Sequence, residues 1–248
     1  VDGQRVESGN DGGGVYAPGE SKAGVQVLPD GRRVFRSYGS MSYALLKSYL
    51  LCDLDPRDAA PLSDAALTPY HAIKRSLHRL VPGSTAVVIG IGGLGQMAVQ
   101  IIGALSAARI VAVDSAPEKL EVAEALGADH ALLADEASPE AIRALTGGRG
   151  ADLVLDVVGS EQTLALASQL LAFEGDLILL GLVGGTIEYG AMSLPWGARI
   201  ATTYWGTEVG LMEVLELARA GKIEVRTERV ALDGVADAYD RLRKGEIE

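Results

Sequence analysis

Apolar and polar positions alternate in blocks along most of this chain. Short apolar runs recur at Ala86–Ile89, Ile110–Val113, Ala131–Leu133, Leu153–Asp156, Leu177–Leu180 and Ile200–Tyr204. Runs of this length, rich in Val, Ile and Leu, read as strands buried on both faces. Between them, apolar residues fall at helical spacing. Leu94, Met97, Ala98, Ile101, Ile102 and Leu105 form one stripe; Leu211, Val214, Leu215 and Ala218 form another, ended by Gly221. Thr68-Pro69 predicts an N-cap and first helical position for a helix toward Leu80. Pro117–Leu126 closes at Gly127, Ser138-Pro139 opens a helix ending at Gly147, and Ser160 caps a helix to Leu171. Six strands alternating with helices predict an α/β fold built on a doubly wound, parallel, six-stranded sheet.

One stretch invites a different reading. No charged residue occurs from Leu80 to Ala108, long enough for a membrane helix. Gly90, Gly92, Gly93 and Gly95 sit in its middle, and each costs about 1 kcal/mol against Ala inside a helix. They would break a spanning helix where no water can satisfy the backbone. Strand, glycine turn, helix and strand account for the same residues.

Residues 1–40 differ from the rest. "VESGNDGGGVYAPGESKAG" has almost no apolar periodicity and reads as irregular. Within it, "VQVLPDGRRVFRS" allows a hairpin with Pro29-Asp30-Gly31 as the turn. The expected organisation is a leader or remnant at 1–45, the main domain with its entry helices at 46–230, and a C-terminal helix at 231–248. A net charge of −11 disfavours nucleic acid and anionic membranes as partners. Cys52 is the single cysteine, so no intrachain disulfide can form, which suits the cytoplasm. No signal peptide is evident. The chain begins at Val1, which suggests processing, excision or a fragment end.

The candidate chemistry lies at "GIGGLG". Gly90, Gly92 and Gly95 fit G-x-G-x-x-G after a strand and before a helix, with Asp114 19 residues after Gly95. Gly90 suits the tight turn, Gly92 lets a pyrophosphate approach the backbone, and Gly95 lets helix and strand pack closely. The helix N-terminus offers unpaired N–H groups and a partial positive charge. The alternative is a tight turn with no ligand. Asp114 can accept hydrogen bonds from both ribose hydroxyls and would repel a 2′-phosphate; no Arg follows in Ser115-Ala116-Pro117. This favours NAD over NADP. Asp114 could also be a solvated acid at a strand end.

From about Leu51 onward the chain resembles the cofactor-binding half of the zinc-dependent, medium-chain (MDR) alcohol dehydrogenases. It is most similar to bacterial NAD-dependent secondary-alcohol dehydrogenases. The resemblance rests on "LDPRDAAPLSDAALTPYHAI", "VVIGIGGLG", "VAVD", "DVVGS", "LLGLVGG" and "YWGT", in family order. It implies a Rossmann domain, NAD as cofactor, zinc in the family, and hydride transfer between an alcohol and NAD. Cofactor contacts are then implied for Gly90, Gly92, Gly93, Leu94, Gly95, Asp114, Lys119, Val157, Val158, Gly159, Gly181, Leu182, Val183 and Trp205. Asp64 matches a zinc ligand, and Thr68 matches a catalytic residue beside the nicotinamide. Trp205 and Tyr204 match catalytic-site positions walling the substrate pocket. Plainer readings exist: Asp64 as a helix-start acid, Tyr204 and Trp205 as core aromatics. His71, His78 and His130 show no mutual metal spacing and read as structural or surface residues, and Cys52 as buried and inert. The partners implied are a small alcohol or ketone and a homodimer or tetramer through the last sheet strand.

The leader stands where the family has a mostly β domain that supplies a zinc-binding Cys, a Gly-His-Glu segment and often four clustered cysteines. Zinc binds the alcohol oxygen and lowers its pKa; a catalytic zinc needs about three protein ligands. The expectation is therefore an NAD-binding domain that does not hold zinc alone and gives no turnover by itself. The rivals are a silent NAD-binding remnant, a zinc-free quinone reductase of the same superfamily, and a methyltransferase.

Overall fold

The computed structural model describes residues 7–8, 25–27, 33–35, 56–135, 137–190, 192–203, 205–228, 230–231 and 234–244. The chain divides into two compact units, Val1–Ser63 and Asp64–Glu248. In the first, β1 (Glu7–Ser8), β2 (Val25–Val27) and β3 (Arg33–Phe35) form a small sheet in the order β1-β3-β2. β2 and β3 are antiparallel, with Val25 opposite Phe35 and Val27 opposite Arg33, so the expected hairpin forms. Its turn, Pro29-Asp30-Gly31, lies outside the described residues, as does Cys52. Helix α1 (Pro56–Pro61) follows.

The helix expected to start at Thr68 begins earlier. A π turn, Leu62–Ala66, runs directly into α2 (Leu67–Ser76), then a 3₁₀ turn at Leu77–Arg79. Thr68 is therefore not an N-cap. Pro69 has no N–H for the carbonyl of residue 65, and its ring crowds that carbonyl. The wider π turn falls at that carbonyl.

In the second unit the strands are β4 (Thr85–Ile89), β5 (Arg109–Asp114), β6 (His130–Leu133), β7 (Ala151–Asp156), β8 (Leu171–Leu179) and β9 (Arg199–Thr202). They form one parallel sheet in the order β6-β5-β4-β7-β8-β9. The intervening helices are α3 (Gly93–Leu105), α4 (Pro117–Ala125), α5 (Pro139–Leu145), α6 (Glu161–Leu170) and α7 (Glu208–Arg219); α8 (Val235–Arg243) follows. The expected doubly wound α/β sheet is what forms. All five residues of β4 are buried, as a central parallel strand requires. Met97, Ala98, Ile101 and Ile102 of α3 are buried too, while Leu94 and Leu105 are half-buried. Ser138 Oγ accepts the Ala141 N–H at 3.1 Å, and Ser160 and Thr163 form a reciprocal capping box.

Two strands depart from expectation. β8 starts six residues before Leu177, directly from α6, and its pairing with β7 shifts register between Ala151 and Leu153. Glu174, at φ 60°, makes the excursion. β9 runs from Arg199 to Thr202 rather than to Tyr204. Sheet order places a reversal between β4 and β7. The crevice outside the carboxyl ends of those two strands is where ligands bind in open α/β sheets.

Candidate functional site

The glycine turn joins β4 to α3 at that crevice. Gly90 has φ 93°, and its N–H donates to the Val113 carbonyl at 2.8 Å. A Cβ on Gly90 would lie 2.6 Å from Val158 Cγ2, and one on Gly95 only 1.9 Å from the Gly90 carbonyl oxygen. These two glycines are demanded by the fold. Gly92 and Gly93 are not: a Cβ on either would meet nothing within 4 Å. Gly92 caps α3 at φ −81° with no side-chain hydrogen bond, so no cap side chain takes up the N–H groups of the first turn.

Asp114 ends β5 beside this turn. Its Oδ2 accepts the Ile91 N–H at 2.6 Å and its Oδ1 the Ala116 N–H at 3.0 Å. The carboxylate thus ties the middle of the glycine turn to the neighbouring strand. Lys119 is half-buried in α4. Across the crevice, Val157 and Val158 are half-buried and Gly159 is buried at φ 73°. The Val158 and Gly159 N–H groups donate to Asp156 Oδ1 at 3.0 and 2.9 Å. Asp156 is fully buried, and its Oδ2 finds no partner among the described residues. Sequence reasoning missed this residue; a carboxylate closing an apolar strand before Val-Val-Gly was the available signal.

The turn after β8 locks onto the turn after β7. Gly181 N–H donates to the Asp156 carbonyl at 3.1 Å and Gly185 N–H to the Gly159 carbonyl at 2.9 Å. A Cβ on Gly181 would lie 2.0 Å from the Val158 carbonyl carbon. Leu182 and Val183 follow with their side chains in water, 89% and 70% exposed.

Three further expected residues meet at one place. Thr68 Oγ1 donates to Asp64 Oδ1 at 3.1 Å and accepts the Trp205 N–H at 3.1 Å. Thr68 is buried, Asp64 exposed, and Trp205 half-buried at φ 53°. Tyr204 lies outside the described residues. Among the described residues no three His, Cys, Asp or Glu side chains gather as metal ligands. Asp64 Oδ1 is the oxygen that takes the Thr68 hydroxyl proton.

The histidines are scattered. His71 is half-buried on α2; burial, then the Arg75 and Lys74 charges, hold its pKa below the ordinary value. His78 Nε2 lies 2.9 Å from Arg199 Nη2, and His130 opens β6. No helix among the described residues is long and apolar enough to cross a membrane.

Residues 93–219 match the family model described as zinc-binding dehydrogenase. The chain is 36% identical over 198 residues to an NAD-dependent alcohol dehydrogenase of Sulfurisphaera tokodaii, covering 78% of this chain and 56% of that one. It is 34% identical over 218 residues to a D-arabinose 1-dehydrogenase (NADP⁺) of Saccharolobus solfataricus, covering 85% and 62%. The crystal structure of the alcohol dehydrogenase from Aeropyrum pernix superposes with a TM-score of 0.72 at 35% identity, over 79% of this chain and 58% of that one. The chain therefore spans little more than half the length of these relatives. The glycine turn, the sheet order and the matched residues agree: the chain belongs to the zinc-type, medium-chain alcohol dehydrogenase family and corresponds to its cofactor-binding half.

Proposed function

We propose that this chain is the NAD(H)-binding part of an alcohol dehydrogenase whose parent reaction moves hydride between an alcohol or ketone and the nicotinamide. The carrying observation is the open space above Gly92 and Gly93. Gly92 has an ordinary φ, so neither packing nor backbone strain explains a glycine there. A pyrophosphate laid against the backbone at the N-terminus of α3 does. Gly90 and Gly95 hold the turn that presents those amides, and Leu94 sits in the same first turn.

Asp114 spends one acceptor position of each oxygen on the backbone and retains capacity for two ribose hydroxyls, with Lys119 nearby in α4. A carboxylate there supports NAD over NADP. Val157, Val158 and Gly159 would line the middle of the cofactor, and Gly181, Leu182 and Val183 its nicotinamide end. The exposed Leu182 and Val183 support a ligand surface at that point. Thr68, Trp205 and Tyr204 would border the reacting ring, and Asp64 would give one zinc ligand. On this reading the leader is 1–45, the cofactor domain 46–230 and the closing helix 231–248. The chain works in the cytoplasm and pairs with a second copy through β9.

Calorimetric titration of the full chain with NAD and with NADP tests this. NAD should bind in the micromolar to millimolar range and NADP more weakly, with Asp114→Ala narrowing the difference. Equal or tighter NADP binding would overturn the preference, and binding of neither the whole reading.

A further inference from the structure

Trp205 holds an unusual backbone conformation. A bulky residue at φ 53° is strained and persists only where its surroundings fix it. Packing supplies part of that. A Cβ on Gly206 would lie 2.6 Å from Leu67 Cδ1 and 3.3 Å from His71 Cβ, so the backbone just after Trp205 lies directly on α2. Packing is not directional, however, and a hydrogen bond is. The Trp205 N–H meets Thr68 Oγ1 at 3.1 Å, and Thr68 is only 4% exposed.

The Thr68 hydroxyl has one proton. In a helix interior a threonine ordinarily gives that proton to the carbonyl three or four residues back. Here it goes to the side chain four residues back, Asp64 Oδ1, at 3.1 Å. Asp64 stands on the π turn that precedes α2. Its carboxylate therefore sets the rotation of the hydroxyl, and that rotation turns an oxygen lone pair toward Trp205.

We infer that Asp64 and Thr68 form a positioning relay that holds the left-handed Trp205 backbone at the nicotinamide end of the site. The relay rests on the reading that Trp205 borders the cofactor. Its own mechanism needs neither cofactor nor metal: an exposed carboxylate orients a buried hydroxyl, and the hydroxyl holds a strained amide. Thr68 then acts through Trp205, and Asp64 through Thr68.

The test uses the full chain without cofactor, carrying Trp196→Phe so that Trp205 is the only tryptophan. Hydrogen–deuterium exchange at the Trp205 amide and the Trp205 emission maximum are the readouts. Thr68→Val keeps the shape and loses the hydroxyl; exchange should rise about tenfold and emission shift to the red. Thr68→Ser should restore both. Asp64→Ala removes only an exposed side chain and should raise exchange by about threefold, whereas Asp64→Asn, whose amide oxygen still accepts, should match the parent. Unchanged protection in Thr68→Val, or in Asp64→Ala, would overturn the relay; Asp64→Ala decides alone should Thr68→Val not fold. Because no cofactor is present, failure here leaves the calorimetric test of NAD binding untouched, and the reverse also holds.

Discussion

The glycines of "GIGGLG" separate by what a methyl group would meet. A Cβ at Gly95 collides with the Gly90 carbonyl, which belongs to the same turn and cannot retreat without breaking the Gly90–Val113 hydrogen bond. Gly95→Ala should lower stability by about 1–3 kcal/mol, read from urea unfolding. Gly92→Ala meets open space and should leave stability within about 0.5 kcal/mol. Its methyl stands where the proposed pyrophosphate would lie, so NAD affinity should fall at least about tenfold by calorimetry, about 1.4 kcal/mol. A Gly92→Ala chain that binds NAD normally would remove the main support for a phosphate site at this turn. The motif prescribes both glycines alike, yet the fold requires one and only a ligand explains the other.

At the scale of elements, α2, the 3₁₀ turn, β8 and β9 converge on one carboxylate. Asp176 of β8 is 1% exposed. Arg199 Nε and Nη2 donate to it at 2.9 and 2.6 Å, Ser76 Oγ donates at 2.7 Å, and Arg79 lies at 3.6 Å. Burial pushes the Asp176 pKa up, but the Arg199 and Ser76 hydrogen bonds and the Arg199 and Arg79 charges outweigh it. The net result lies below the ordinary carboxylate value. A depressed folded pKa contributes stability above the unfolded pKa and loses it as pH falls through the folded one. Loss should therefore begin below about pH 4. Asp176→Asn should cost about 1–3 kcal/mol at pH 7, since Arg199 keeps partial access to water, and should flatten the acid-side loss. Urea midpoints from pH 7 to pH 3 that fall equally steeply in both proteins would refute this. Between α2 and α7, Tyr70 donates to Glu213 at 2.8 Å, and burial, then Glu213, raise the Tyr70 pKa. Tyr70→Phe should lower the unfolding midpoint by about 1 kcal/mol of stability.

For the whole molecule, the sheet ends at β9, whose outer edge has no partner among the described residues. An edge without proline, in "RIATTYW", tends to pair with another strand. Light scattering at high concentration should give a mass above that of one chain, and Thr202→Pro, which removes an N–H from the outer edge, should lower it; a strictly monomeric mass would refute pairing through β9. NAD should also raise the unfolding temperature as its concentration rises, by the equivalent of about 2.7 kcal/mol at a hundredfold excess over Kd. NADP at the same concentration should raise it less.

The sequence by itself determined the alternation of strands and helices, the glycine turn and the acid that ends β5, and it allowed the β2–β3 hairpin. Each rests on signals local to a few residues: buried runs, period 3.6, capping Ser, Gly at positive φ. The family resemblance named further positions but not their contacts. Only the tertiary structure decided that Asp114 holds the Ile91 amide, that Thr68 bridges Asp64 to Trp205, and that Asp156 is buried under the crevice. It also decided that β8 begins at Leu171 and that helical backbone precedes Thr68. These depend on partners up to 137 residues apart, or on a register shift against a neighbouring strand. A hydroxyl or carboxylate in a sequence carries its chemistry with it, but the group it bonds is chosen by the packing that brings distant backbone within reach.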